Sequence, residues 1–441
     1  MKPSDWISII LVFITSIVYY YFGYELDRTN FYEILAGFSI AFMAYVLILK
    51  QVKLSELKYF QVLAILLRLL LLFSIPSLSD DYFRFIWDGQ LLVHAINPFD
   101  YFPADVTIEF PNKETLLAGM NSPEYYSIYP PIAQLVYYIG ALFSSNSILG
   151  SIVTMRSIII LAEIGTIFIL PQLLKSLKLN PLNSLWYSLN PLVIIELTGN
   201  LHFEAIMIFF LVTAIYLLVS NRKIAGGIAW AISAGTKLIP LVFLPVLFRK
   251  YNLKELILIY GTALISFMLF WLPLYNGQFI SHFTESFQLY FKSFEFNASL
   301  YYIVRWLGFE AIGYNVIEIA GQYMPKIALL LIVLIQLKKS NRNWLKALES
   351  IFFALCIYYL FAFIVHPWYI CTLVLLGVFT RYKFAVLWSF LAVLSYWAYQ
   401  TSAYQENLYL IAIEYLVVAG LFTFEFFKKK EILKLDTKIA V

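Results

Sequence analysis

The chain has 441 residues, 61% of them apolar and 13% charged, against roughly 45–50% and about 25% in soluble domains. This excludes a water-soluble globule, and a mean hydropathy of +0.78 over the whole length excludes a soluble domain on a single anchor. The net charge of +4 gives a nucleic-acid partner no support, and Cys356 and Cys371 lack companions at disulfide-framework or zinc spacing.

In chain order, apolar runs at Trp6–Phe22, Phe31–Leu49 and Tyr59–Ile75 are the first candidate spans, since about 20 helical residues cross about 30 Å of hydrocarbon. The first follows Met1–Lys2 without a small-residue cleavage site, so it reads as a retained signal anchor. A polar segment, Ser77–Pro130, follows. Ile132–Phe143, about 18 Å long as a helix, is too short to span and reads as re-entrant or interfacial. Ile152–Leu174, Leu185–Leu197 and Phe203–Val219 read as further spans. Ile224–Phe248 is interrupted by Gly226, Gly227, Gly235, Pro240 and Pro245, so it reads as a hairpin of two short helices around Thr236–Lys237. Such breaks are tolerated where the freed backbone is buried in protein or lines a wet cavity. Leu256–Pro273, Ile327–Leu337, Ile351–Val365, Trp368–Phe379, Phe384–Tyr399 and Leu408–Phe427 complete about 12 to 14 expected membrane elements, in one all-α polytopic domain over 1–441.

Basic residues set the orientation. Lys50/Lys53/Lys58, Lys175/Lys178, Arg222/Lys223, Arg249/Lys250/Lys254, Lys338/Lys339/Arg342/Lys346, Arg381/Lys383 and the tail Lys428–Lys430 are expected inside. Both termini are then cytoplasmic, Ser77–Pro130 and Tyr275–Glu310 are external loops, and Gly199–Glu204 and His366–Pro367 are short external connections. The alternative, with Ile132–Phe143 crossing and Lys175/Lys178 outside, stays open. Aromatic residues at 19% suit interfacial belts, and equally sugar stacking.

The loop over 77–130 carries eight acids (Asp80, Asp81, Asp88, Asp100, Asp105, Glu109, Glu114, Glu124) and two bases (Arg84, Lys113). Helical spacing at its start puts Phe85, Trp87, Leu91 and Leu92 towards lipid or protein and Asp81, Arg84 and Asp88 on the other face. Two readings stand: a solvated helix with a routine Asp81–Arg84 pair, or a carboxylate at the membrane surface poised to deprotonate an acceptor hydroxyl. His202 and Glu204 in GNLHFEA are either a helix cap or site residues. Lys237, amid apolar residues, needs an anionic partner, either a phosphate or a nearby Glu. His366 in HPWY marks either a simple turn or a pocket. Arg68, Arg156, Glu163, Glu196 and Glu414 lie in or near spans, where Arg68–Glu163 and Arg156–Glu196 are equally candidates for structural pairs.

Asp-Asp-Tyr-x-Arg-Phe at 80–85, Trp-Asp-Gly at 87–89, Ile-Asn-Pro-Phe at 96–99, Tyr-Pro-Pro at 129–131, Thr-Lys-Leu-Ile-Pro-Leu at 236–241 and His-Pro-Trp-Tyr at 366–369 together resemble the GT-C class of integral membrane glycosyltransferases. The resemblance is closest to bacterial polyprenyl-phosphate-mannose-dependent mannosyltransferases and, more distantly, to the catalytic subunit of the first GPI mannosyltransferase. It covers most of the chain. Where the family loop continues Gly-x-x-Pro-Tyr, this chain has His94-Ala95-Ile96-Asn97-Pro98-Phe99, without the Gly.

The resemblance implies a GT-C-like helical bundle with a catalytic Asp on the first large external loop. It implies a sugar taken from a polyprenyl monophosphate with inversion, and no metal or other cofactor. Asp81, followed by Tyr82, is the first choice of base and Asp80 the second. Lys237, Arg84 and His366 would face the donor phosphate, and Trp87, Asp88, Asn97, Tyr129, His202, Glu204, Trp368 and Tyr369 would line the pocket. The expected partners are a polyprenyl-phosphate sugar, a glycan or glycolipid acceptor and membrane lipids. The expected location is the bacterial cytoplasmic membrane, with the site on its outer face.

Two rivals stand beside this mannosyltransferase reading. A lipid-linked-sugar transporter or flippase would put its function in the intramembrane charges. An O-antigen ligase or polymerase would carry a late external loop rich in Arg and His, whereas Tyr275–Glu310 offers only His282, Lys292 and Arg305.

Overall fold

The computed structural model describes residues 3–292 and 294–428. Met1, Lys2 and the tail lysines Lys429 and Lys430 lie outside the described residues, and so do the chain ends whose side of the membrane the charge pattern assigns. The apolar runs become helices α1 (Pro3–Tyr24), α2 (Phe31–Leu49) and α3 (Leu57–Leu69), followed by the first-loop helices α4 (Asp81–Val93) and α5 (Lys113–Gly119). Next come α6 (Pro131–Ser144), α7 (Ile148–Ser176), α8 (Leu185–Ser188), α9 (Glu204–Val219) and α10 (Lys223–Thr236). The second half holds α11 (Leu253–Trp271), α12 (Phe279–Lys292), α13 (Leu300–Ile312), α14 (Ile317–Gln336), α15 (Trp344–Phe361), α16 (Ile370–Gly377), α17 (Phe384–Leu391) and α18 (Leu408–Lys428).

Among the described residues, seven helices are long and apolar enough to cross a membrane: α1, α2, α7, α11, α14, α15 and α18. The protein is therefore an all-α polytopic membrane protein. Only 11% of the α11 window is buried, against 56% for α7. Helix α7 is thus central, while α11 turns Ile257, Leu264, Ile265, Met268 and Leu269 outward, as a lipid-facing helix does.

Four expected spans are not continuous helices: Phe384–Tyr399 passes from α17 into a 3-10 run, Ala392–Gln400, and the other three break for local reasons. The run Tyr59–Ile75 is helical only to Leu69; beyond it the backbone tightens into turns, and the Arg156 guanidinium takes the Leu72 (3.0 Å) and Ser74 carbonyls. The run Leu185–Leu197 breaks at Asn190-Pro191. Proline has no N–H to continue a helix, and the Asn190 carboxamide oxygen instead accepts from the Leu192 N–H at 3.0 Å. The chain resumes as a π-helical turn, Val193–Gly199, bent 112° from α9. Trp368–Phe379 divides into a 3-10 turn, Pro367–Tyr369, and α16.

Helices α4, α6, α7, α9, α10 and α11 pack in succession, each on the next. The Gly of Trp-Asp-Gly makes the first contact possible, because a Cβ on Gly89 would lie 2.3 Å from the Tyr137 carbonyl oxygen on α6. The α4 C-terminus closes in a Schellman turn: Ile96 N–H bonds Leu91 C=O (2.9 Å) and Ala95 N–H bonds Leu92 C=O (3.1 Å). Ala95 sits there at φ +57, the left-handed conformation that glycine adopts without steric cost.

Of the two candidate intramembrane pairings, one forms. Arg68 and Glu163 form a fully buried ion pair at 2.6 Å, completed by the Tyr187 hydroxyl donating to Glu163 (2.6 Å) and by Arg68 donating to the Ala64 and Ser188 carbonyls. Arg156 does not pair with Glu196. It donates to the carbonyls of Thr198 (2.8 Å) and Gly199 (2.7 Å), besides those of Leu72 and Ser74.

Candidate functional site

Three chain breaks meet at one place: the start of α4, the turn before α9 and the gap after α10. Asp81 opens α4, with its N–H received by the Ser79 hydroxyl at 3.3 Å. Glu204 opens α9 after a turn in which Leu201 is held at φ +64. Lys237 is the extended residue that ends α10, and a 3-10 run, Ile239–Arg249, begins two residues later. The Trp230 indole N–H donates to the Pro240 carbonyl at 3.0 Å and holds the two arms together.

Lys237 forms an ion pair with Glu204 and lies 5.3 Å from the Tyr369 ring centroid. The half-buried Asp81 carboxyl sits beside this pair. Desolvation pushes its pKa up to about 6, against the Lys237 charge and an Asn121 hydrogen bond that lower it, while Glu204 and Asp80 add to the rise.

The neighbouring acid behaves differently. Asp80 accepts from Arg28 at 2.7 Å. Adjacent in sequence, the two acids have different partners.

Behind Lys237, Trp368 is stacked between two imidazoles, His202 at 3.9 Å and His366 at 4.2 Å between ring centroids. With both faces covered, the indole has none to offer a sugar. Burial and the Lys237 charge hold the His366 pKa down to about 3. The His202 Nε2 lies 3.3 Å from Glu196, which also accepts from the Tyr396 hydroxyl and from the Asn200 carboxamide (3.0 Å).

The remaining expected residues sit within the loop framework. Arg84 pairs with Asp88 at 2.8 Å, not with Asp81, and donates to the carbonyls of Ser122 and Tyr125. Asp88, fully buried, also accepts from Ser127 (2.5 Å) and Gln134 (2.8 Å). Trp87 is fully buried against Phe110, and Tyr129 packs on Phe85 and Tyr137. Asn97 donates to the Leu274 carbonyl at 2.8 Å, tying the loop over 77–130 to the chain just after α11. Among the described residues, no group of three or more His, Cys, Asp or Glu is placed to hold a metal ion.

Sequence reading missed Asn121, which hydrogen-bonds Asp81, and two further residues at this site. Asn200 accepts from the N–H groups of Ser77 (3.2 Å) and Leu78 (3.0 Å), joining the entry to α4 to the turn before α9. Arg28 lies between α1 and α2, in a connection that the charge pattern puts outside. A lone arginine on the side otherwise poor in bases was the signal available for it.

A sequence profile described as "Alpha-(1->6)-mannopyranosyltransferase, N-terminal domain" matches residues 23–250, just over half of the chain. Among curated proteins, Alpha-(1->6)-mannopyranosyltransferase A of Mycobacterium tuberculosis (strain ATCC 25618 / H37Rv) is 27% identical over 181 residues. That match covers 40% of this chain and 34% of the relative. The profile spans Asp80, Asp81, Glu204 and Lys237, whereas His366, Trp368 and Tyr369 lie beyond it.

Proposed function

We infer the activity from one premise, that the chain belongs to the alpha-(1->6)-mannopyranosyltransferase family, and propose that it is a membrane mannosyltransferase. In this reading it takes mannose from a polyprenyl-phosphate donor and passes it, with inversion, to an acceptor hydroxyl at the external face of the membrane. The observation that carries the mechanism is the placement of Asp81 beside the Lys237–Glu204 pair.

Asp81 is the general base. It removes the acceptor hydroxyl proton as that oxygen attacks the anomeric carbon and the bond from carbon to phosphate oxygen breaks. The leaving phosphate goes from one negative charge to two, and Lys237 stabilises the added charge. The lipid phosphate departs without a general acid. A carboxyl with a pKa of about 6 is a stronger base than an ordinary Asp yet remains mostly ionised at neutral pH.

The transporter reading placed function in the intramembrane charges. Arg68 and Glu163 are instead spent on each other, a tyrosine and backbone carbonyls, and Arg156 on backbone carbonyls, while Glu196 is held by Tyr396 and Asn200 and Glu414 by Trp388 and Asn297, which favours the enzyme. The test is transfer of label from polyprenyl-phosphate mannose to candidate acceptors by the reconstituted protein. Wild type should transfer and Asp81→Asn should not; a fully active Asp81→Asn would remove the base, and no transfer from any polyprenyl-phosphate sugar would remove the class.

A further inference from the structure

Asp80 and Asp81 are consecutive but differently engaged: Asp81 feels the Lys237 charge, whereas Asp80 pairs with Arg28. What holds Asp80 comes from the two ends of the chain. Arg28, between α1 and α2, donates to the Asp80 carboxylate at 2.7 Å and to the Tyr404 hydroxyl at 3.3 Å. Its guanidinium also lies 5.6 Å from the Tyr399 ring centroid. Tyr404, in the connection leading to α18, is held at φ +48 and meets Tyr399 edge-on at 5.8 Å. A non-glycine residue keeps the left-handed conformation where its surroundings over-determine it.

Stability alone is a poor account of this arrangement. The Arg28 and Asp80 side chains are 28% and 24% exposed, and ion pairs so open to solvent add little to folding. The arrangement does fix the residue on which α4 begins: the Asp80 carbonyl accepts the Phe83 N–H at 3.1 Å, in the first turn. From the other side, Asn200 holds Ser77 and Leu78.

We propose that Arg28 and Tyr404 form a clasp on Asp80 that positions the neighbouring Asp81 for proton abstraction. The clasp residues are positioning residues, since they act through Asp80 rather than on the substrate. The inference rests on Asp81 being the base. It adds that the base is set by segments near both ends of the chain, the second of which lies beyond the matched family region. Misplacing a reacting group by about 1 Å can cost on the order of 100-fold in rate, so a weak ion pair can matter greatly here.

The test uses the full-length protein in lipid, with labelled polyprenyl-phosphate mannose as donor. Arg28→Gln and Asp80→Asn should each lower kcat by about 10- to 100-fold, with donor KM nearly unchanged and Arg28→Lys recovering part of the rate. Tyr404→Phe should cost about two- to tenfold. The double variant Arg28→Gln/Asp80→Asn should be no worse than the poorer single one, as for groups acting through one contact.

The pH profile supplies a second readout. Asp81 is faced by Lys237 after α10, Glu204 on α9, Asn121 in the first loop, Tyr137 on α6, Tyr399 before α18 and Asp80 itself. Arg28→Gln leaves Asp80 uncompensated and should move the acid limb up, whereas Asp80→Asn should move it down. A merely structural defect would not give opposite shifts.

Hydrogen exchange separates failure of the clasp from failure of the enzyme reading. Amides 79–84 should exchange faster in Arg28→Gln, whatever the substrate. Unchanged exchange there overturns the clasp, as does wild-type kcat in Arg28→Gln beside an inactive Asp81→Asn. An active Asp81→Asn with faster exchange overturns the link to catalysis.

Discussion

The Trp368 indole lies on the His202 imidazole with ring centroids 3.9 Å apart and planes 16° apart. His366 covers its other face at 4.2 Å. The tryptophan therefore acts as a spacer that sets the separation of the two histidines beside Lys237. Trp368→Phe keeps a flat ring and should leave donor KM within about tenfold, because aromatic pairs of this kind are worth only about 0.5–1.5 kcal/mol. Trp368→Ala should lower kcat and cost about 3–5 kcal/mol of stability, read from thermal unfolding in detergent. A large rise in KM for Trp368→Phe would mean that the indole contacts substrate after all.

The pH dependence of the reaction follows from Asp81. The proposed base must be ionised to act, so with its pKa raised to about 6 the rate should be half-maximal near there. It should fall about tenfold per unit below and be flat above. Glu204 raises the Asp81 pKa, so Glu204→Gln should shift the limb to lower pH; Lys237 lowers it, and Lys237→Gln should shift the limb the other way. An ordinary histidine also titrates at about 6.5, but His366 is held at about 3. The limb should therefore survive His366→Gln. Its disappearance in that variant would reassign the base.

How far this was legible in the sequence varies by feature. Helices α7, α11 and α18 follow from unbroken apolar runs, because length and hydropathy decide a span. The break at Asn190-Pro191 was less visible, since the flanking residues Leu185–Leu197 stay apolar through it. Arg84 and Asp88 at i, i+4 were in plain sight, yet the competing i, i+3 pair with Asp81 has the same charge logic, and only the fold puts Ser127 and Gln134 on Asp88. The Arg28–Asp80 contact joins residues 52 apart, a separation at which no helical period operates. The motifs thus pointed to the loop that holds Asp81 and ranked it ahead of Asp80, and tertiary structure adds that the two acids have different partners.

Ala95 stands in the family stretch that usually opens with Gly, and it keeps the left-handed backbone at φ +57. A Cβ there costs about 1–2 kcal/mol. Glycine would relieve that strain but adds about 0.4–1 kcal/mol of unfolded-chain entropy to be lost on folding. Ala95→Gly should therefore be neutral to about 1.6 kcal/mol stabilising, with activity unchanged. Ala95→Val should be clearly destabilising because a β-branched residue tolerates positive φ poorly. Thermal unfolding of the three proteins in one detergent checks the order; Val above Ala would show that the turn relaxes.

Arg68 and Glu163 are both fully buried, so removing either charge leaves the other without a counter-ion. Such a break costs about 3–5 kcal/mol, whereas replacing both members by apolar residues of similar size is often near neutral. Arg68→Met and Glu163→Leu should each lower the melting temperature and the yield of folded protein, and the double variant should recover much of the loss. Tyr187 would temper the recovery, since its hydroxyl donates to Glu163 at 2.6 Å and loses that acceptor in the double variant. The folded fraction of each variant should keep the wild-type donor KM, because neither side chain is at the site around Asp81 and Lys237. Single variants with wild-type melting temperatures but lost transfer would give the pair a functional role and revive the transporter reading.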